Sequence, residues 1–251
     1  MLTDHPVYVY GVIRADHPFP AGCTGIGAPP APARTLRAGA LAAVVSAAPD
    51  ELLARRRDLL AHQNLLLALA EDGPVLPMRF GVVAPEESAV ADQLTRSEAR
   101  YLDTLARLAG RLEMNLKVFP AEEALPELLR ADPALRGLRE AARRRPGYEA
   151  SLRLGEAVAG ALTAAATRAA GLVTRRVAPF AEAAVPGPEV PGCVRNTSFL
   201  VPRGALDAFR AAASAGMEPA ARADVRLTGP LPCFSFVPAD GRAATTAAGR
   251  A

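Results

Sequence analysis

Residues Gly73–Val83 read GPVLPMRFGVV. Val75, Leu76, Met78, Phe80, Val82 and Val83 form a nearly continuous apolar run punctuated by Pro74, Pro77 and Gly81, so the stretch is predicted to be a buried strand that ends or kinks. Arg79 does not suit that burial. A guanidinium carries five donors and cannot sit among apolar side chains without acceptors, so Arg79 must pair, cap carbonyls or reach solvent at a sheet end. The expectation is a structural arginine that orders its domain through a nearby carboxylate; the alternative is an exposed contact for a partner.

Outward from this stretch the periodicity changes. Between Glu51 and Glu71, Leu52, Leu59 and Leu66 recur beside Leu53, Leu60 and Leu67, the stripe of an amphipathic helix that Asp72-Gly73 closes. His62 borders that stripe with Asp58 one turn before it, which points to a hydrogen-bonded structural histidine. Downstream, Pro85, Glu86 and Glu87 suit a helix start, and Val90, Leu94, Tyr101, Leu105 and Leu108 continue at helical spacing to Ala109. Upstream, VYVYGVI (residues 7–13) and ALAAVVSA (40–47) are strand candidates. The connection from Asp16 to Arg34 contains CTGIGAPPAPA, which is neither GxGxxG nor GxxxxGK[ST] and is a loop. Strand, strand, helix, strand, helix make a mixed α/β N-terminal domain over residues 1–110.

Beyond Gly110, LEMNLKVF (112–119) alternates as a strand, followed by helical stretches at 125–145 and 148–172, with Asp132-Pro133 interrupting the first. VTRRVAPF (173–180) and VRNTSFLV (194–201) have strand composition, 204–215 is a short helix, and VRLTGPLPCFSFV (225–237) is a last strand broken by Gly229, Pro230 and Pro232. Their order is that of a ferredoxin-like βαββαβ domain over 111–238, and the fold class is therefore α+β with two domains. Residues 239–251 lack core residues and are expected to be a disordered tail.

Composition narrows the function. The 251 residues carry a net charge of only +3, with basic and acidic side chains interleaved outside short arginine runs, so nucleic-acid binding is not expected. No leader or long uninterrupted apolar span is read, giving the expectation of a soluble, intracellular protein without membrane contact. Cys23, Cys193 and Cys233 are widely spaced and form no CxxC pair, so neither a disulfide framework nor a metal site is indicated. His5 and His17 lie in N-terminal loops, and no HExxH, GxSxG or paired-carboxylate pattern occurs; no catalytic residue, cofactor or small-molecule substrate is expected.

Four segments together resemble the GvpF/GvpL family of gas vesicle proteins: VYVYGVI, LLAHQNLLLALAEDGPVLPMRFGVV, GRLEMNLKVF and TGPLPCFSFV, in the family's order and across nearly the whole chain. Leu231, Cys233 and Phe234 depart from the usual ending, where an aromatic, a proline and a tyrosine are frequent. The resemblance implies two α+β domains, the second ferredoxin-like, and no enzymatic activity or cofactor. It implies a minor gas vesicle protein, located on the vesicle, that acts in assembly or nucleation by contacting the hydrophobic shell protein and other accessory vesicle proteins. The family-motif positions are His62, Pro77, Arg79, Phe80, Gly81, Gly229 and Pro230, in structural or partner-contact roles, with the contact expected near the domain junction. The other readings are a ferredoxin-like small-molecule-binding protein or enzyme, and an RNA binder.

Overall fold

In the computed structural model, which describes residues 5–215 and 223–237, the run VYVYGVIR forms β1 (Val7–Arg14) inside a five-stranded sheet. β3 (Leu41–Ala47) pairs with it along one side and β2 (Arg34–Ala38) pairs with β3. On the other side β1 meets two short strands, β4 (Leu76–Pro77) and β5 (Val83–Ala84); every one of these pairings is antiparallel. Helices cover both faces, which is why β1 and β3 are apolar throughout rather than alternating. On one face, Leu65, Leu66 and Leu69 of α1 (Arg56–Asp72) pack on Tyr8, Tyr10, Ile13, Ala42 and Val44. On the other, α2 (Glu87–Arg96) and α3 (Glu98–Leu108) bring Val90, Leu94, Tyr101 and Leu105 against Val7, Val9, Val12, Ala43 and Val45. The pairing of β1 slips between Val9 and Gly11, a bulge that lets Val9 and Val12 share a face although three residues apart. Leu66, Leu94 and Leu105 are fully buried, each worth about 2 kcal/mol of apolar burial.

Several boundaries differ from the sequence expectation. GPVLPMRFGVV is two short edge strands around a turn, not one buried strand. α1 begins at Arg56 rather than Glu51. The helix expected over 86–109 is two helices meeting at Ser97, whose φ of −111° and ψ of 11° leave the helical region. β2 lies where no strand is predicted; its sequence RTLRA buries only Leu36, as suits a sheet edge.

The chain divides into two units: residues up to Glu113 together with those from Pro230 on, and Met114–Gly229. The closing residues 230–237 thus group with the first unit, not with the second as their place in the chain predicts. The tail at 239–251 lies outside the described residues.

The second unit holds a four-stranded sheet in the order β7 (Ala183–Pro186), β8 (Arg195–Pro202), β6 (Arg111–Pro120), β9 (Ala223–Leu231). Between β6 and β7 come α4 (Leu125–Ala131), α5 (Pro133–Arg144) and α6 (Tyr148–Val177); α7 (Leu206–Ser214) lies between β8 and β9. Asp132 caps α5 by accepting hydrogen bonds from the Ala134 and Leu135 amides. Residues 173–177, expected to be a strand, extend α6, and a short 3-10 turn follows at 178–180. Their β-branched composition is misleading: Val173 and Val177 continue the buried stripe of Ala166, Ala169 and Ala170 at one helical turn.

By length and composition alone Tyr148–Phe180 would reach across a bilayer. That apolarity is mostly alanine, and the stripe from Leu162 to Val177 is spent on packing inside the unit. On β6, Asn115 is buried and donates to Asn196 Oδ1 at 2.8 Å and Ser198 Oγ at 3.1 Å, so its polar group is satisfied.

Candidate functional site

The turn between β4 and β5 is held from behind by two side chains of the core. Tyr8 of β1 places its hydroxyl 2.9 Å from His62 Nδ1, and the Gly81 amide donates to the same hydroxyl at 3.2 Å. His62 Nε2 lies 2.9 Å from the Met78 carbonyl, an acceptor only. The proton therefore sits on Nε2, Nδ1 accepts from Tyr8, and the Tyr8 hydroxyl and both ring nitrogens of His62 are all used. Burial lowers the His62 pKa below its ordinary 6.5, only partly offset by the Met78 hydrogen bond, so the ring is neutral. The same burial pushes the Tyr8 hydroxyl well above its usual range.

His62 is thus a structural histidine, but not through Asp58. That carboxylate instead accepts the Gly27 amide at 3.0 Å and lies 3.5 Å from Arg57 Nε. His17 has a comparable role at the end of α1: its Nε2 reaches the Leu69 carbonyl at 3.0 Å, one of the last-turn carbonyls left without a helical partner.

An aromatic cluster surrounds the network. His62 stacks on Tyr10 at 5.5 Å and on Phe234 at 6.2 Å, and Phe80 packs edge-on at 5.9 Å. Phe234 belongs to the closing segment. Its neighbour Ser235 gives both its amide (2.8 Å) and its hydroxyl (2.7 Å) to the buried Glu113 carboxylate, while Arg107 donates to the Phe236 carbonyl at 2.8 Å. The two most distinctive sequence segments, some 150 residues apart, are therefore parts of one structure. Cys233 is buried beside them, and burial, aided by the Glu113 charge, pushes its thiol up to about 12.

The remaining motif positions divide by burial. Pro77 is buried on β4 opposite Gly11. A Cβ on Gly11 would come within 2.8 Å of the Leu76 carbonyl, so only glycine permits that approach. Phe80 is half-buried in the aromatic cluster, and Gly81, at φ 96°, makes the turn. Arg79 is exposed on this turn, and its side chain forms no ion pair or hydrogen bond among the described residues. It is not the carboxylate-paired arginine its apolar neighbours imply; the kink that separates β4 from β5 carries it outward. Gly229 and Pro230 stand where the chain passes from the second unit to the first, Gly229 exposed at φ 139°.

On the opposite side of the sheet the same stretch borders a cavity of about 210 Å³. Val9, Val12 and Ala43 form its floor, Met78, Val82, Val83 and Ala84 one wall, and Ala89, Val90 and Leu94 of α2 another. Gln93, Arg96 and Tyr101 supply polar atoms, with Gln93 Nε2 donating to Ser97 Oγ at 3.0 Å. The volume exceeds the ~150 Å³ of an apolar cavity that takes up benzene, so a branched or aromatic side chain fits. No nucleophile with an adjacent base lines it, so its chemistry is that of binding. β4 and β5 are two residues each, leaving an incomplete sheet edge next to the opening. No group of three His, Cys, Asp or Glu side chains able to hold a metal occurs among the described residues.

The cavity residues on α2 and the tyrosine network were not singled out by motif. One signal was present: the two tyrosines of VYVY sit in a strand too apolar to be exposed, and a buried hydroxyl needs a partner.

Comparison with known proteins agrees with this construction. The family model described as gas vesicle synthesis protein GvpL/GvpF matches residues 6–238. Gas vesicle protein F of Streptomyces sp. (strain CB03234) is 44% identical over 234 residues, covering 92% of this chain and 98% of that protein. Gas vesicle protein L of the same strain is 33% identical, covering 94% of each. Among solved structures, the crystal structure of the gas vesicle protein GvpF from Anabaena sp. PCC7120 superposes with a TM-score of 0.73 at 22% identity, covering 93% of this chain and 98% of that one. GvpF from Microcystis aeruginosa gives 0.70 at 22% identity. These two likenesses show the α+β fold.

Proposed function

The chain belongs to the GvpL/GvpF family of gas vesicle synthesis proteins, and on that premise we propose that it is a gas vesicle accessory protein that binds the small hydrophobic shell protein, and with it other accessory proteins, during vesicle assembly or nucleation. A shell subunit exposes apolar surface before it polymerises, and a helper must cover that surface or hold the subunit in orientation. The observation that carries this reading is the 210 Å³ apolar cavity beside the incomplete β4/β5 edge. An extended segment can add main-chain hydrogen bonds at such an edge while its side chain fills the pocket. The exposure of Arg79 on the adjoining turn supports a contact of its guanidinium with the same partner. The protein is accordingly assigned to gas vesicles within the cell.

The strand order β9–β6–β8–β7, with helices in both crossovers, supports reading Met114–Gly229 as a ferredoxin-like domain. The cavity lies in the other unit, so the shell contact belongs to the first domain.

Co-purification of tagged protein with the shell protein tests this. Ala89→Phe, which fills the cavity from α2, is expected to reduce the recovered shell protein several-fold with an unchanged melting temperature. Undiminished recovery with folded Ala89→Phe removes the cavity from the contact, and undiminished recovery with folded Arg79→Ala removes the arginine. A small apolar molecule that raises the melting temperature of wild type but not of Ala89→Phe would favour a ligand-binding role instead.

A further inference from the structure

The charge of the chain is not spread evenly. Residues 133–153, which form α5, the turn after it and the first residues of α6, hold six arginines against two glutamates. That surplus of four exceeds the net +3 of the entire protein, so the remainder of the chain is slightly acidic. Two of the arginines are answered locally: Arg144 lies 3.4 Å from Glu140 and Arg153 lies 3.4 Å from Glu149, each one helical turn away. Arg139, Arg143 and Arg145 are exposed, and among the described residues their side chains form no ion pair or hydrogen bond. Arg139 and Arg143 are four residues apart, which sets them about 6 Å apart along one face of α5. A few residues on in the chain, where it enters α6, Tyr148 is 82% exposed and Leu152 47% exposed.

Within one hairpin, arginines without a side-chain partner among the described residues and an exposed tyrosine and leucine have the composition of a protein-binding surface, in which arginine and aromatic side chains supply most of the affinity. We propose that the α5–α6 hairpin is a second interaction surface, and that its partner is an acidic protein segment. Carboxylates of that segment pair with Arg139, Arg143 and Arg145 while an apolar side chain rests on Tyr148 and Leu152. A bilayer is disfavoured because the apolar side of α5 is already used: Leu135 is 3% exposed and packs with Leu128 and Leu162. A nucleic acid is disfavoured by Glu140 and Glu149 on the same hairpin and by the apolar pair, which a phosphate backbone cannot use. The surface lies outside the cavity and its adjoining edge, and the proposal does not depend on the shell-binding reading.

The test uses the full chain and a fluorescein-labelled 20-residue helical peptide with glutamates at i, i+4 and i+7 and one leucine beside them, read by anisotropy. Binding to wild type is expected at 50 mM NaCl. The triple variant Arg139→Gln/Arg143→Gln/Arg145→Gln should weaken it about ten-fold or more, as three solvent-facing charge pairs allow. Tyr148→Ala should weaken it about five-fold, and this loss should persist at 300 mM NaCl where the charge contribution is screened. All the substituted side chains are exposed, and an unchanged melting temperature verifies folding. The proposal is overturned if the peptide does not bind, if the triple glutamine variant binds it as well as wild type does, or if a single-stranded 20-mer DNA or phosphatidylglycerol vesicles bind more tightly and displace the peptide.

Discussion

Tyr8→Phe removes one oxygen from the network behind the motif turn and leaves the ring in place. In the folded protein that oxygen donates to His62 Nδ1 at 2.9 Å and accepts the Gly81 amide at 3.2 Å. Phenylalanine keeps the edge contact with Tyr10 at 4.8 Å and the tilted contact with Phe80 at 5.9 Å, so little packing is lost. Two polar groups lose their partner instead. His62 is 2% exposed, and a buried acceptor left bare costs about 1–3 kcal/mol. Gly81 is only half-buried, so water can take over part of its bond and its share lies near the lower end of that range.

The sum is about 2–4 kcal/mol, a large fraction of the 5–15 kcal/mol that holds a typical domain together. Because the damage is centred on β4 and β5, amides between Met78 and Val83 should also exchange faster than in wild type. Urea unfolding followed by tyrosine fluorescence, with hydrogen exchange read on peptides covering residues 74–84, measures both quantities. Tyr101→Phe is the control. Its hydroxyl has one long contact, 3.4 Å from Gln93 Nε2, and its loss should cost no more than about 0.5 kcal/mol. A Tyr8→Phe cost below about 1 kcal/mol, or unchanged exchange at Met78–Val83, would refute the assignment of this hydroxyl as the tie between helix and turn.

Two further outcomes follow from the same region. Because burial holds the His62 pKa below 6.5, the unfolded chain takes up a proton that the folded one refuses, so stability is full above pH 6.5 and declines as pH falls below it; the wild-type melting temperature should drop between pH 7 and pH 5, by visibly more than in His62→Gln, and equal drops would show that His62 is not the titrating group. With its thiol pushed up to about 12, Cys233 should resist iodoacetamide at pH 8 in the native protein while the partly exposed Cys23 and Cys193 are modified, and alkylation at equal rates would contradict its burial under the closing segment.

What could be read from the chain was set by whether the cause was local. β1, β3 and the helical character of α1 and α5 announce themselves because their periodicity is a property of a few consecutive residues. The leucine stripe expected on α1 is not the one buried, however: Leu53, Leu59 and Leu60 are exposed, and the packed line runs through His62, Leu65, Leu66 and Leu69. Arg79 shows where such reading stops. Its neighbours Met78 and Phe80 are apolar, and a strand through all of them would bury the guanidinium; yet Gly81 at φ 96° folds the segment into a turn whose two flanks serve different faces of the sheet. Met78 faces the cavity while Phe80 faces His62, and the arginine between them is free to leave. Pro77 and Gly81 signal a kink within the eleven residues, but nothing among them fixes which way it carries Arg79. The deciding partner is Tyr8, 73 residues earlier, whose hydroxyl takes the Gly81 amide.

The closing TGPLPCFSFV makes the same point from the other end. Its composition reads as a strand of the domain it follows, and only Glu113 and Arg107, which receive Ser235 and the Phe236 carbonyl, show why the chain returns to the first unit. Two of the four segments that carry the family resemblance therefore meet at one place, His62, with Phe80 on its edge and Phe234 on its face. The aromatic side of the sheet has its polar atoms satisfied and its rings packed, so it serves to fix the turn. That leaves the apolar cavity and Arg79 as the parts of the motif still open to a partner.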